Sequence, residues 1–157
     1  MICITSESQL KEAFRSIDQD EVQLPHDLVF PVVLKDYFAW TEPSGHRVFL
    51  IYQDPTGRGA CGIVFKRASG GAGDGIAQMC QWCHSVRAGN AVRLLTAKAS
   101  PKRRVGIHVC SDLSCKDKVL EGPGVNDLRE PFSRYEKLFR VLLKMSEFTR
   151  VNLENLH

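Results

Sequence analysis

The sequence predicts an α+β fold, a small antiparallel sheet with a helix towards each end of the chain. Three observations in its 157 residues point there. Short runs rich in Val, Ile and Phe come in pairs around turn sequences. Amphipathic stretches lie near both ends. Two close pairs of cysteines, Cys80/Cys83 and Cys110/Cys115, sit in the middle.

The first element is helical. Ser6 and Gln9 stand at capping-box spacing, and Leu10, Ala13, Phe14 and Ile17 follow at helical intervals. The next stretch, LPHDLVFPVVLKDYFAWTEPSG, mixes prolines with Tyr37, Phe38 and Trp40 and suits a wrapped connector with some strand. Arg47 to Tyr52 and Ala60 to Phe65 flank Asp54-Pro55-Thr56-Gly57, a good turn sequence, and predict a β-hairpin. Ser69 to Gly75 is a glycine-rich loop without the strand-to-helix junction that phosphate binding needs. Val92 to Ala97 and Arg104 to Cys110 predict a second hairpin across the basic turn from Lys98 to Arg103. Ser111 or Asp112 can cap a short helix running through Cys115 to about Leu120, which Gly122-Pro123-Gly124 ends. A last helix starts near Pro131, with Phe132, Tyr135, Leu138, Phe139, Leu142 and Met145 as an apolar face that reads as core. We read residues 1–157 as a single domain. Residues 1–45 are its N-terminal helix and connector. Residues 46–157 hold the cysteine-bearing core, with the finger at about 76–120, and the C-terminal helix.

The cysteine pairs carry the chemistry. A CxxC and a CxxxxC separated by 26 residues are what a tetrahedral zinc ion needs. The order is tight turn, hairpin, then helix start, which is the treble-clef arrangement. Backbone N–H groups in the knuckle and at the helix N-terminus can offset the thiolate charge, as can Arg87, Lys116 and Lys118. Cys80, Cys83, Cys110 and Cys115 are therefore the expected ligands of one structural Zn2+. Four thiolates close its shell and leave no position for substrate. Cys80 to His84 also spells the CxxCH of c-type haem attachment, but that leaves the second pair unexplained and marks no distal ligand. A redox CxxC should open a helix after a buried strand, and this one does not. His84 and His108 are expected beside the site or at the surface, Cys61 in the core and Cys3 near a terminus. No other catalytic constellation stands out, so a non-enzyme without a small-molecule substrate is expected.

Composition agrees with a folded chain: 43% hydrophobic and 25% charged. No apolar run is long enough to span a membrane. MICITSESQLKEAF has neither the basic nor the apolar region of a secretory signal, which predicts a cytosolic chain with reduced thiols. The net charge of +3 hides an asymmetry. Lys and Arg number 5 against 9 Asp and Glu in residues 1–60, 10 against 3 in 61–120, and 6 against 6 thereafter. The excess positive charge thus lies with the cysteines. Arg87, Arg93, Lys98, Lys102, Arg103, Arg104, Lys116 and Lys118 are the candidate partner-binding residues. An acidic protein surface or RNA would suit them. Few aromatics lie among them, which disfavours base stacking.

MCQWCHS, VRLLTAKAS and RRVGIHVCSDLSCKDKV resemble the C-terminal treble-clef domain of the elongation factor G-binding proteins, the FusB-like or fibronectin-binding-protein-like family. The likeness covers about residues 45–120, reaching at most through the final helix, and CSDLSC is its most specific element. It implies a bacterial cytosolic protein whose zinc domain docks on elongation factor G, with the four cysteines carried over as ligands. The resistance proteins of that family have a further N-terminal helical bundle, which this chain has no room for. The resemblance therefore implies binding to elongation factor G or another part of the translation machinery, ribosomal RNA included, rather than drug resistance. An RNA-binding zinc finger without that factor is the alternative.

Overall fold

The computed structural model describes residues 1–68, 77–87, 89, 91–120 and 133–154. In chain order its elements are β1 (Ile2–Ile4), α1 (Glu7–Glu12), β2 (Val32–Leu34), β3 (Tyr37–Thr41), β4 (Arg47–Asp54), β5 (Gly59–Arg67), β6 (Gln78–Met79), β7 (Val86–Arg87), β8 (Val92–Ser100), β9 (Arg103–Cys110), α2 (Cys115–Leu120) and α3 (Arg134–Phe148). A short 3₁₀ turn spans Gln19–Glu21, and a π-helical turn, Thr149–Leu153, continues α3. Antiparallel sheets with helices make the molecule α+β, as the sequence predicts. The loop read at Ser69 to Gly75, the Gly122-Pro123-Gly124 stop and the start at Pro131 and Phe132 lie outside the described residues.

The main sheet has the order β3-β4-β5-β8-β9, antiparallel throughout. Both predicted hairpins are present, β4–β5 and β8–β9, each longer than the apolar runs alone suggested. Side chains alternate across a strand, so β4 and β5 divide their apolar residues between two cores. Val48, Leu50, Tyr52, Ile63 and Phe65 face one side and pack with α2, α3 and all four clustered cysteines. Phe49, Ile51 and Val64 face the other and pack with Ile4, Leu10, Phe14, Leu34 and Trp40 from the first 45 residues.

The stretch read as a wrapped connector with some strand supplies part of that second core. Residues 20–45 contribute β2, which pairs with β1, and β3, the edge strand of the main sheet. The first helix is also shorter than its periodicity suggests. Ser6 caps it, accepting from Gln9 N–H at 3.1 Å, while the Gln9 side-chain Oε1 accepts from Thr5 N–H at 2.7 Å rather than closing the box on Ser6. The helix stops at Glu12, because Phe14 leaves it to form a parallel bridge to Gly62 in β5. Gly62 N–H donates to the Ala13 carbonyl at 2.8 Å. A Cβ at Gly62 would stand 2.5 Å from the Phe14 ring, so glycine is what admits the ring there. Ile17 falls outside the helix.

The final helix is capped by Ser133, which accepts from Glu136 N–H at 3.2 Å. Its apolar residues form two stripes rather than the single face expected. Leu138, Val141, Leu142, Met145 and Phe148 are buried against the sheet. Tyr135, Phe139 and Leu143, four residues apart, are 79, 50 and 39% exposed. No described helix is long and apolar enough to cross a membrane.

Candidate metal centre

Three local structures bring the cysteines together. Cys80 and Cys83 sit in the turn between β6 and β7, which pair through Gln78 with Arg87 and Met79 with Val86. Within that turn His84 N–H donates to the Cys80 carbonyl at 2.8 Å, and His84 adopts the left-handed region at φ +64°. Cys110 ends β9, and Cys115 opens α2. The turn between them closes through Leu113 N–H to the Cys110 carbonyl at 2.9 Å, with Leu113 at φ +58°. The knuckle is clamped to β9 by Gln81 N–H donating to the His108 carbonyl at 2.9 Å.

All four Sγ atoms lie within 4.8 Å of one another. Cys80 and Cys115 are 3.6 Å apart sulfur to sulfur, as are Cys83 and Cys110. No disulfide joins them. A zinc–sulfur bond of about 2.3 Å in a tetrahedron implies sulfurs about 3.8 Å apart, so the spacing suits one zinc ion at the centre.

Charge supports the same donor set. Hydrogen bonds from the Cys110 and then the Cys115 thiol bring Cys80 down to about 7. The same donors lower Cys83. Cys115 is pushed up by its contacts with Cys110, Cys80 and Cys83, and then by burial. For Cys110 the Cys115 contact lowers the pKa, but Cys80, Cys83 and burial outweigh it and raise it. Packed this closely without a cation, the four sulfurs do not all favour the thiolate. A divalent cation is what allows all four to ionise together.

Backbone donors reach the sulfurs: Cys83 N–H and Cys110 N–H each point at Cys80 Sγ at 3.4 Å. The helix N-terminus does not act as expected, because Lys116 N–H donates to the Tyr37 hydroxyl at 2.6 Å instead. Ser85 Oγ lies 3.1 Å from Cys83 Sγ. Trp82, between the first two cysteines, is buried edge-on to Phe65 and Phe148 at 5.9 and 6.1 Å. This contact ties the knuckle to the sheet and to α3. Lys144 of α3 adds to it, donating to the Gln81 carbonyl at 3.1 Å and to the exposed His84. His108 is exposed, and Cys61 is half-buried in β5.

The eight basic candidates do not share one environment. Lys98 pairs with Glu21 at 2.5 Å, and Lys116 with Asp36 at 2.7 Å, so acidic residues of the first 45 positions neutralise both. Arg93 donates to the Ala68 carbonyl at 3.0 Å. Arg104 donates to Thr96 Oγ1 and to its carbonyl, each at 3.0 Å. Arg87 and Lys118 are half-buried. Lys102 and Arg103 stand exposed at the β8–β9 turn. The charge asymmetry along the sequence is thus partly an internal pairing between its two ends.

The model of the FBP C-terminal treble-clef zinc-finger family matches residues 9–151. The chain belongs to that family. The resemblance carried by CSDLSC therefore holds, and reaches well beyond the finger. Among solved structures, the fusidic acid resistance protein FusC is similar, with a TM-score of 0.51 and 13% identity over 96% of this chain. That likeness is one of fold. This chain spans 59% of the length of FusC. A search of curated proteins finds no match.

Proposed function

We propose that this protein is a non-enzymatic binding module of the translation apparatus, cytosolic and bacterial, that docks on elongation factor G. Cys80, Cys83, Cys110 and Cys115 hold one structural zinc, and the surface the zinc keeps in shape makes the contact. Membership of the family over residues 9–151, with the four-thiol cluster intact, carries this reading. The closed shell supports binding rather than chemistry at the metal, since four sulfurs leave no position for water.

Two exposed features of the domain suit a protein partner. Lys102 and Arg103 are exposed at the hairpin tip, where charge would speed and orient the encounter. Tyr135 and Phe139 are exposed on α3, which packs on the knuckle through Trp82 and Phe148, and aromatic side chains of this kind anchor interfaces.

The test is retention of purified elongation factor G on the immobilised zinc-loaded protein, with and without nuclease. Retention that survives nuclease and is lost when zinc is stripped supports the reading. No retention at near-physiological salt overturns it.

A further inference from the structure

The outer face of the main sheet is covered only in part. Phe49, Ile51 and Val64 lie beneath the N-terminal core. On the same face a cross-strand row continues beyond that cover, with Arg47 opposite Lys66 and Lys66 opposite Thr96. Arg104 of β9 lies against Thr96 through two hydrogen bonds of 3.0 Å. These residues line a groove of about 1020 Å³, joined by Arg67 at the end of β5.

The groove carries uncompensated charge. The carboxylate lining it is Glu42, which is buried, accepts from Ser44 at 2.6 Å and pairs with Arg47 at 3.5 Å. Among the described residues Lys66, Arg67 and Arg104 form no salt bridge. Arg67 instead donates to the Ser111 and Gly45 carbonyls. Burial, and then the like charge of Arg93, pull its pKa down. Lys66 and Arg104 thus bring positive charge to the groove with no carboxylate paired to either among the described residues, and an anion there would meet it.

We propose that this groove binds the phosphodiester backbone of a nucleic acid, with Lys66 and Arg104 as its charge contacts. The lining decides the class of partner. It holds no Phe, Tyr or Trp, and Pro43 and Ala68 are its apolar members, so it lacks the large apolar anchors of a protein interface. Nucleic-acid interfaces are more polar and more positive, and hydroxyl and amide groups such as those of Thr96, Ser44 and Gln23 suit phosphate and sugar oxygens. Contacts to phosphate carry no base sequence, so recognition here does not depend on it.

The experiment measures anisotropy of fluorescein-labelled U20 RNA and dT20 DNA with the zinc-loaded protein across a salt series. Binding should fall linearly on logarithmic axes. The double variant Lys66→Ala/Arg104→Ala should bind roughly tenfold more weakly per lost contact in about 50 mM salt, with a slope shallower by about 1.4. Tighter binding of U20 identifies the source as RNA, and equal binding a contact to phosphate alone. Either result supports the groove. Lys102→Ala/Arg103→Ala should retain most of the binding. The groove variant should also keep its zinc and its hold on elongation factor G, which separates this site from the proposed protein contact. Several results would overturn the site: no binding of either oligonucleotide, an unchanged groove variant, a loss confined to the hairpin-tip variant, displacement of the oligonucleotide by polyglutamate at equal charge, or loss of elongation factor G together with the oligonucleotide.

Discussion

The Tyr37 hydroxyl donates to the Leu113 carbonyl at 2.6 Å. It accepts from Lys116 N–H at the same distance. Leu113 lies between Cys110 and Cys115, and Lys116 follows Cys115, so one phenol from the edge strand β3 holds the backbone on both sides of Cys115. Burial, and then the nearby Cys115 sulfur, push the Tyr37 pKa up and keep the donor protonated. A strand outside the finger in sequence thus orients one of its four sulfurs.

Tyr37→Phe keeps the ring and removes both hydrogen bonds. It should cost about 1–3 kcal/mol, the penalty for leaving buried polar groups without partners. Outer partners of metal ligands typically carry about 10–100-fold in metal affinity. The variant should therefore also lose zinc to a chromogenic chelator faster than the parent. Urea unfolding and chelator competition measure the two effects, and a variant matching the parent in both would show that the Tyr37 contacts carry no load.

Metal analysis of protein purified without added zinc should give about one zinc per chain. Cys110→Ser should abolish that content and lower the melting temperature, because zinc binding energy is folding energy in a site absent from the unfolded chain. The loss should be largest at the knuckle and α2. A metal-free parent, or an unchanged melting curve for the variant, would refute the site.

Much of this architecture was legible because its signals are local. CxxC, CxxxxC and the two hairpins announce themselves within a few residues, and β6 to α2 fall where those patterns place them. The misses are long-range. Nothing near Phe14 in sequence reveals that it will leave its helix for Gly62, and β1 with β2 are three residues each, too short for a period to register. The internal pairing of some basic candidates was illegible for the same reason. Glu21 and Asp36 neutralise Lys98 and Lys116 from about 80 positions away. Lys66 joins Arg104 only through the register of three strands. Periodicity also could not divide α3, because its apolar residues span more of the helix circumference than one neighbour can cover.

Gly62→Ala tests the bridge that ends α1. The added methyl meets ring atoms at 2.5 to 2.7 Å, so the variant should lose about 1–3 kcal/mol as an overpacked site. In a Phe14→Leu background, where a smaller side chain faces the strand, the same change should cost less. A double-mutant cycle by urea denaturation measures that coupling. Purely additive effects would mean that the ring and the glycine do not share this space.

Asp54 supplies a pH dependence with a definite sign. Burial raises its pKa, but hydrogen bonds from the Thr56 N–H at 2.9 Å and hydroxyl at 2.8 Å, together with Ser146 and the charge of Arg58, outweigh burial and leave it below the usual value of 3.8. A folded pKa below the unfolded one gives stability that is present above the unfolded pKa. That stability disappears as pH falls through the folded pKa. Asp54→Asn keeps an acceptor for Thr56 and removes the titration. The stability difference between parent and variant should be constant above about pH 5 and should shift in favour of the variant as pH falls below about 4. Urea midpoints of both proteins, stripped of zinc so that metal release does not intrude, measure this. A difference independent of pH would refute it.

The two stripes of α3 make opposite predictions. Leu142 is 8% exposed and packs in the core that holds the cysteines, so Leu142→Ala should cost about 2–5 kcal/mol. Tyr135 and Phe139 are largely in solvent, and glutamine preserves helix propensity. Tyr135→Gln/Phe139→Gln should therefore leave stability within about 0.5 kcal/mol per site and zinc content unchanged. If the exposed stripe anchors elongation factor G, the double variant should lose retention of that factor while remaining folded. Exposed aromatic anchors commonly carry about 2 kcal/mol or more each, so the loss should be on the order of thirtyfold per residue. Stable protein with unchanged retention would remove α3 from the interface and leave Lys102 and Arg103 at the hairpin tip to make the contact. A large loss of stability would instead show that Tyr135 and Phe139 belong to the core.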